Sequence, residues 1–252
     1  MNTSSYFILL ILKLLIVELY AANLPSYIKP CKRNDPNVNN CVKELIASLK
    51  PRFQQGLPEL RIPSLEPLLL PGVVLDSSSS QVVNFKAEFK NMKIYGAKNM
   101  DVKDIKLDVK NQKLTMTLQF PKVYMTSDYD MNGKVLVLPI KGNGKCSGNF
   151  TNVEAVVFFQ GKPYKKNNKQ FIKLDDAPRV TIKLGNSNMH FDNLFNGNEE
   201  LGRSTNNFLN DNWVLVSAEV IPLVQDTVST IIQSLFKSTL DLFSLDQLLP
   251  EH

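Results

Sequence analysis

Between residues 83 and 184 apolar and polar side chains alternate along the chain. Val83, Phe85, Ala87 and Phe89 are interleaved with Asn84, Lys86, Glu88 and Lys90. Ile105, Leu107 and Val109 alternate with Lys106, Asp108 and Lys110, and Leu114, Met116, Leu118 and Phe120 with Thr115, Thr117 and Gln119. Val180, Ile182 and Leu184 alternate with Thr181 and Lys183. A period of two places each apolar set on one face of a strand. Two stretches, 135–138 and 156–159, are apolar on both faces and predict strands covered on both sides, or edge strands under a loop. Asn111-Gln112 and Asn132-Gly133 fall where hairpin turns are needed, and Asn-Gly favours a type I′ turn. The connections are too short for crossover helices, so the sheet is mostly antiparallel.

Elsewhere the period is helical. Val38, Val42, Leu45, Ile46 and Leu49 recur at three and four and predict an amphipathic helix that ends near Pro51 and Gly56. Residues 57–72 hold Pro58, Pro63, Pro67 and Pro71 among leucines, which predicts an extended connector without regular structure, and residues 77–80 are a polar turn. From Leu201 an apolar stripe runs through Phe208, Leu209, Trp213, Val216, Val220, Val224, Val228, Ile231 and Leu235. Such a stripe, about 35 residues, would span roughly 50 Å as one helix. Pro222 interrupts it, so either a kinked helix or two stacked helices are expected.

A sheet with one apolar face must cover that face. One long helix covers it only if the sheet curls around the helix. The expected fold is therefore α+β: a long C-terminal helix wrapped by a strongly curved, mostly antiparallel sheet. A curved sheet and a rod fill space imperfectly, and the gap between them is an internal hydrophobic tunnel suited to an apolar ligand. Its candidate lining is Phe85, Phe89, Met116, Leu118, Phe120, Phe208, Trp213, Val216 and Val220. On pattern alone the same residues read first as plain core.

The chain has 252 residues, enough for one sizeable core, and no linker divides residues 22–252 into two domains. The apolar tract 7–19 is too short to span a bilayer, for which about 20 residues are needed. With Ala21-Ala22 after it, the tract reads as a secretory signal peptide, residues 1–21, although no basic residue precedes it and Lys13 and Glu18 interrupt it. Secretion permits disulfides. Cys31 and Cys41 flank a turn-rich polar loop that brings two cysteines within bonding reach; the alternative is two unpaired thiols. Cys146 is then left over, as a buried small hydrophobe, a reactive thiol or an intermolecular partner.

Chemistry-bearing residues are scarce. The chain has two histidines, His190 and His252, and no Gly-x-Ser-x-Gly elbow, so a secreted esterase lacks its parts and no enzyme is expected. No metal and no cofactor is expected either. The net charge of +5 is too small and dispersed for a nucleic-acid partner. Lys162, Lys165, Lys166 and Lys169 cluster in an expected hairpin, which reads as a solvated loop before it reads as a docking patch for anionic membrane. Asn149-Phe150-Thr151 is a glycosylation sequon, with Asn149 the candidate acceptor.

Several segments carry a resemblance. Leu138-Pro139-Ile140-Lys141-Gly142-Asn143-Gly144 resembles the "LPI-x-G-x-G" run of the takeout and haemolymph juvenile-hormone-binding proteins of insects. Asn193-Leu194-Phe195-Asn196-Gly197, with Leu201-Gly202 after it, is similar to another of their segments. Residues 206–213 resemble "N-x-F-L-N-x-N-W" and residues 91–96 "N-x-x-I-Y-G"; the Cys31/Cys41 pair and the Pro222 region match as well. Cys146 without a partner places the chain nearer the takeout-like branch than the branch with a second disulfide. The resemblance implies a fold like the tubular lipid-binding proteins, with the long helix inside the curved sheet, a hydrophobic tunnel and no catalytic motif. The function expected is a secreted, extracellular carrier that binds a terpenoid, fatty-acid or quinone-like chain without chemical change. A secreted interaction or signalling module with a filled core and no small ligand is the alternative. Expected partners are a hydrophobic small molecule and a transient membrane or receptor contact, with the protein a monomer.

Overall fold

The structure is a computed structural model that describes residues 23–77 and 83–251. The expected signal segment 1–21 and the serines at 78–80 lie outside the described residues. In chain order the elements are α1 (Val38–Leu49), β1 (Leu68–Asp76), β2 (Val83–Tyr95), β3 (Asp101–Asp108), β4 (Lys113–Val135) and β5 (Leu138–Lys166). They continue with β6 (Lys169–Leu174), β7 (Arg179–Lys183), β8 (Asn186–Phe191), α2 (Glu199–Asp211), α3 (Trp213–Leu240) and the short α4 (Leu245–Leu248).

The strands form one antiparallel sheet ordered β1-β2-β4-β5-β6, in which β3 also pairs with β4, and β7 and β8 with β5. Its spine is the β4–β5 hairpin, with strands of 23 and 29 residues paired from Lys113↔Gln160 to Val135↔Leu138. Strands this long must bend, and the bend has identifiable sites. Pro71 in β1 faces Asn91 in β2, and Pro121 in β4 faces Asn152 in β5. Both asparagines are left-handed, at φ 52° and 50°. Proline has no N–H for the ladder, and the left-handed residue breaks the pleat opposite it. Across each pair the inward face changes number parity. In β4 it passes from Met116 to Tyr129 and Met131, and in β5 from Ile140 and Cys146 to Ala155, Val157 and Phe159. Paired irregularities of this kind raise the local twist and let the sheet curl.

Several expectations are corrected. Asn132-Gly133 is not a turn: both residues lie within β4, opposite Lys141 and Ile140, and the hairpin turns at Leu136-Val137. Gly133 is needed in the strand because a Cβ there would sit 2.4 Å from Asn84 O and from Phe85 Cα. Residues 135–138 are therefore a hairpin tip, a two-residue turn between the paired strand ends Val135 and Leu138, and not one strand. The connector expected at 57–72 gives way at Leu68 to β1, an edge strand, where proline is tolerated. The C-terminal stripe breaks at Asn212, between α2 and α3, whereas the exposed Pro222 lies inside an unbroken 28-residue α3. Other expectations hold. The 38–49 helix is α1, Asn111-Gln112 turns β3 into β4, and Cys31 and Cys41 are bonded, leaving Cys146 free and buried.

Candidate functional site

Helix α3 lies in the trough of the sheet and packs on β1, β2, β6, β7 and β8. By length and composition alone it is apolar enough to cross a membrane, yet only Ser229 among its 28 residues is fully buried. Its contacts with the sheet fall into two groups. Val216, Val220, Leu223 and Val224 pack against a buried cluster that includes Phe85, Phe89, Tyr129, Met131 and Phe191. Val228, Ile232 and Phe236 pack against a second cluster of Ile105, Met116, Val157, Phe159 and Val180. Successive i, i+4 positions drift by about 40° around a helix, so the contact row rotates to follow the twisting sheet. A third cluster, Leu49, Phe53, Leu57, Leu60 and Phe243, closes the end near α1.

Where the second and third clusters meet, a cavity of about 150 Å³ opens beside the C-terminal half of α3. Leu107, Leu114, Phe159, Leu174, Phe236, Leu240, Leu245 and Leu248 line it, and Lys113 is the one charged group in the lining. Phe159 and Phe236 meet there, with ring centroids 4.2 Å apart. A second cavity of about 310 Å³, between β2, β4, β5 and β8, is polar and charged, with Asn91, Lys93, Asp128, Lys145, His190 and Asp192 around it. Asp128 is bonded there to Asn91 and Lys145, which hold its carboxyl below the usual range. His190 is exposed at the end of β8, 3.1 Å from Asp192.

Six of the nine expected lining residues fall in two separate clusters, and three belong to neither. Phe85 and Phe89 are fully buried in the first cluster, with Val216 and Val220 of α3 against it. Met116 is buried in the second cluster, with Leu118 packed on it. Phe120, Phe208 and Trp213 are half-buried. The row Ile232, Phe236, Leu240 was missed. Its +4 spacing from Val228 is visible in the sequence, but Ile231 and Leu235 offer an equally good stripe on a helix that is apolar nearly all round. Asn149 is half-buried within β5, between Tyr124 of β4 and Asn188 of β8.

The segments that carry the family resemblance prove to be structural fasteners. Gly142 lets Tyr129 and Leu194 close on the strand, because a Cβ there would come within 2.7 Å of Tyr129 Oη and 3.0 Å of Leu194 Cα. Tyr129 Oη donates to Asp192 O at 2.5 Å, and Asn193 Nδ2 donates to Asn143 O at 2.8 Å, so residues 138–144 and 192–197 dock on each other. In α2, Asn206 accepts from Phe191 N and donates to Phe191 O, each at 2.9 Å. One turn later Asn210 does the same for Met189, at 2.8 Å. These amides are engaged by β8. Gln225 of α3 accepts from Ile182 N of β7, and Asn39 of α1 from Leu107 N of β3. Strands β3, β7 and β8 are thus each tied to a helix by side-chain amides. That satisfies backbone groups which the sheet leaves free at its edges.

A curled antiparallel sheet wrapped on one long apolar helix defines a class of tubular fold whose interior is built for apolar contact. The family model for haemolymph juvenile hormone binding protein matches residues 7–250, and the chain belongs to that family, in its takeout-like part. It is 32% identical over 226 residues to the circadian clock-controlled protein daywake of Drosophila melanogaster, with 84% of each chain covered. To daywake of Drosophila yakuba it is 29% identical over 224 residues, covering 85% of this chain and 84% of that one. Takeout 1 of Epiphyas postvittana has the same fold, with a TM-score of 0.76 at 23% identity over 88% of this chain and 99% of that chain. The family is one of carriers of hydrophobic ligands.

Proposed function

We propose that the protein is a secreted carrier that holds an apolar small molecule between α3 and the inner face of the sheet, and releases it unchanged. The observation that supports this most directly is the state of α3. A central helix of this apolarity is normally buried, yet only Ser229 of its 28 residues is, and Val214 and Leu215 stand 60% and 57% exposed. Apolar surface kept accessible inside a fold is the mark of a binding site. The separation of the buried residues into distinct clusters, and the apolar cavity beside Phe236, fit a tunnel that runs along the helix. The family's haemolymph setting and the Cys31–Cys41 bond support an extracellular site of action, with residues 1–21 as the signal peptide.

Incubation of the protein with a long-chain isoprenoid ester tests the reading. The ester should be recovered intact after organic extraction of the re-purified complex, and its binding should change Trp213 emission saturably. Hydrolysis in proportion to protein concentration would make the protein an enzyme. Absence of binding by every apolar probe would favour an interaction module with a filled interior.

A further inference from the structure

The segments that border the apolar cavity carry most of the molecule's net positive charge. Gly161, Ile172 and Leu174 of the β5–β6 hairpin line the cavity, and the hairpin then projects from it to the turn Asn167-Asn168. That hairpin bears Lys162, Lys165, Lys166, Lys169 and Lys173, all exposed. The β3–β4 turn joins it through Gly161 N donating to Gln112 O at 2.9 Å, and adds Lys110 and Lys113. Against these seven lysines, residues 108–113 and 161–176 hold only Asp108, Asp175 and Asp176, a net of +4 where the whole chain carries +5. Asp246 and Glu251 of the nearby C-terminal segment are turned to Arg33. In register, Lys162, Lys166, Lys169 and Lys173 share one face of the hairpin with the ring pair Tyr164–Phe171, whose centroids are 5.8 Å apart. Lys165 shares the other face with Ile172, which lines the cavity.

We propose that this basic hairpin, met along its β6 edge so that lysines of both its faces reach the surface, and the apolar mouth beside it form a docking site for an anionic lipid bilayer. The two features match the two layers of such a surface: lysines for the negative headgroups, and an apolar opening for the acyl boundary. The proposal rests on the carrier reading in one respect, since docking there would put the cavity against the phase in which an apolar ligand dissolves.

The test is co-sedimentation of the full chain with phosphatidylcholine vesicles, with and without phosphatidylserine. The protein should partition onto the phosphatidylserine vesicles at low salt and be released at high salt. One lysine at an anionic surface changes partitioning about five-fold. Replacing Lys165, Lys166 and Lys169 together by Gln should therefore lower it about 100-fold. The same change at Lys86, Lys134 and Lys141, at the opposite end of the β4–β5 hairpin, removes equal charge and should leave partitioning nearly intact. Equal loss in both variants, or equal partitioning on both kinds of vesicle, would overturn the proposal. Retention on soluble heparin without vesicle binding would overturn it in favour of a soluble anionic partner. Binding of an apolar probe, measured without vesicles, separates the two readings. It should survive in the Lys165/Lys166/Lys169 variant, and its failure in the unmodified protein would refute the carrier while vesicle partitioning is still scored on its own.

Discussion

Asn206 takes the place of a strand partner for Phe191, with one amide bonded to both its N–H and its C=O. Removing it strands two buried backbone groups, at about 1–3 kcal/mol each. Asn206→Ala should therefore lower the unfolding free energy by about 2–4 kcal/mol in urea titrations, whereas Asn207→Ala, at an exposed position next to it, should stay within about 0.5 kcal/mol. Equal effects would contradict the tie between α2 and β8. At Cys146, burial pushes the thiol from its ordinary 9.0 up to about 12. Burial raises the neighbouring Tyr129 phenol as well. Both groups hold their protons longer in the folded state than in the unfolded one. Their contribution to stability is complete below pH 9 and is lost as the pH rises from 9 toward 12. Stability measured across that range should fall, and Cys146→Ala should flatten the fall. A profile unchanged by the substitution would contradict the burial of the thiol. The same burial predicts that a thiol reagent labels the native protein slowly and finds one thiol after denaturation without reductant.

At the scale of elements, Arg33 ties the C-terminal segment to the loop beside the disulfide. Arg33 Nε donates to Leu249 O at 2.7 Å, its backbone N–H donates to Pro250 O at 2.8 Å, and its guanidinium meets Asp246 and Glu251. The arginine side chain is 12% exposed, but the two carboxylates are 65% and 58% exposed, so the ion pairs add little and the bond to Leu249 O carries the tie. Arg33→Ala should cost about 1–3 kcal/mol and speed hydrogen exchange in residues 244–251. Unchanged exchange there would contradict the tie. Because Arg33 sits two residues after Cys31, opening the disulfide should loosen the same segment. The effects of the two changes should then be less than additive. Which elements the sequence announced follows from where their cause lies. Helix α1 and the Asn111-Gln112 turn are local in origin and were legible. The change of inward face in β4 and β5 was not, because it needs Pro121 and Asn152, 31 positions apart, to meet across the ladder. The break at Asn212 was masked by the stronger local signal of Pro222. An exposed proline inside a helix sacrifices one hydrogen bond and need not end it.

At the scale of the whole molecule, the wrapped-helix architecture was readable because the change from period two to a helical period leaves one apolar sheet face and one long rod to cover it. The interior was readable only as a list of apolar residues. Which of them are solid core, like Phe85 and Phe89, and which border accessible space, like Phe236 and Leu240, depends on how the sheet closes, and that is decided by long-range pairing. The cavity's relation to the β5–β6 lysines was hidden for the same reason. The central claim is that accessible space along α3 receives the ligand. Photolabelling with an apolar diazirine-bearing chain, followed by peptide mapping, tests it most directly. Adducts confined to residues 213–240 and to the inward positions of β3, β4 and β5, and competed away by unlabelled chain, are the predicted result. Adducts confined to outward-facing positions of the sheet, or labelling that unlabelled chain does not compete, would contradict it.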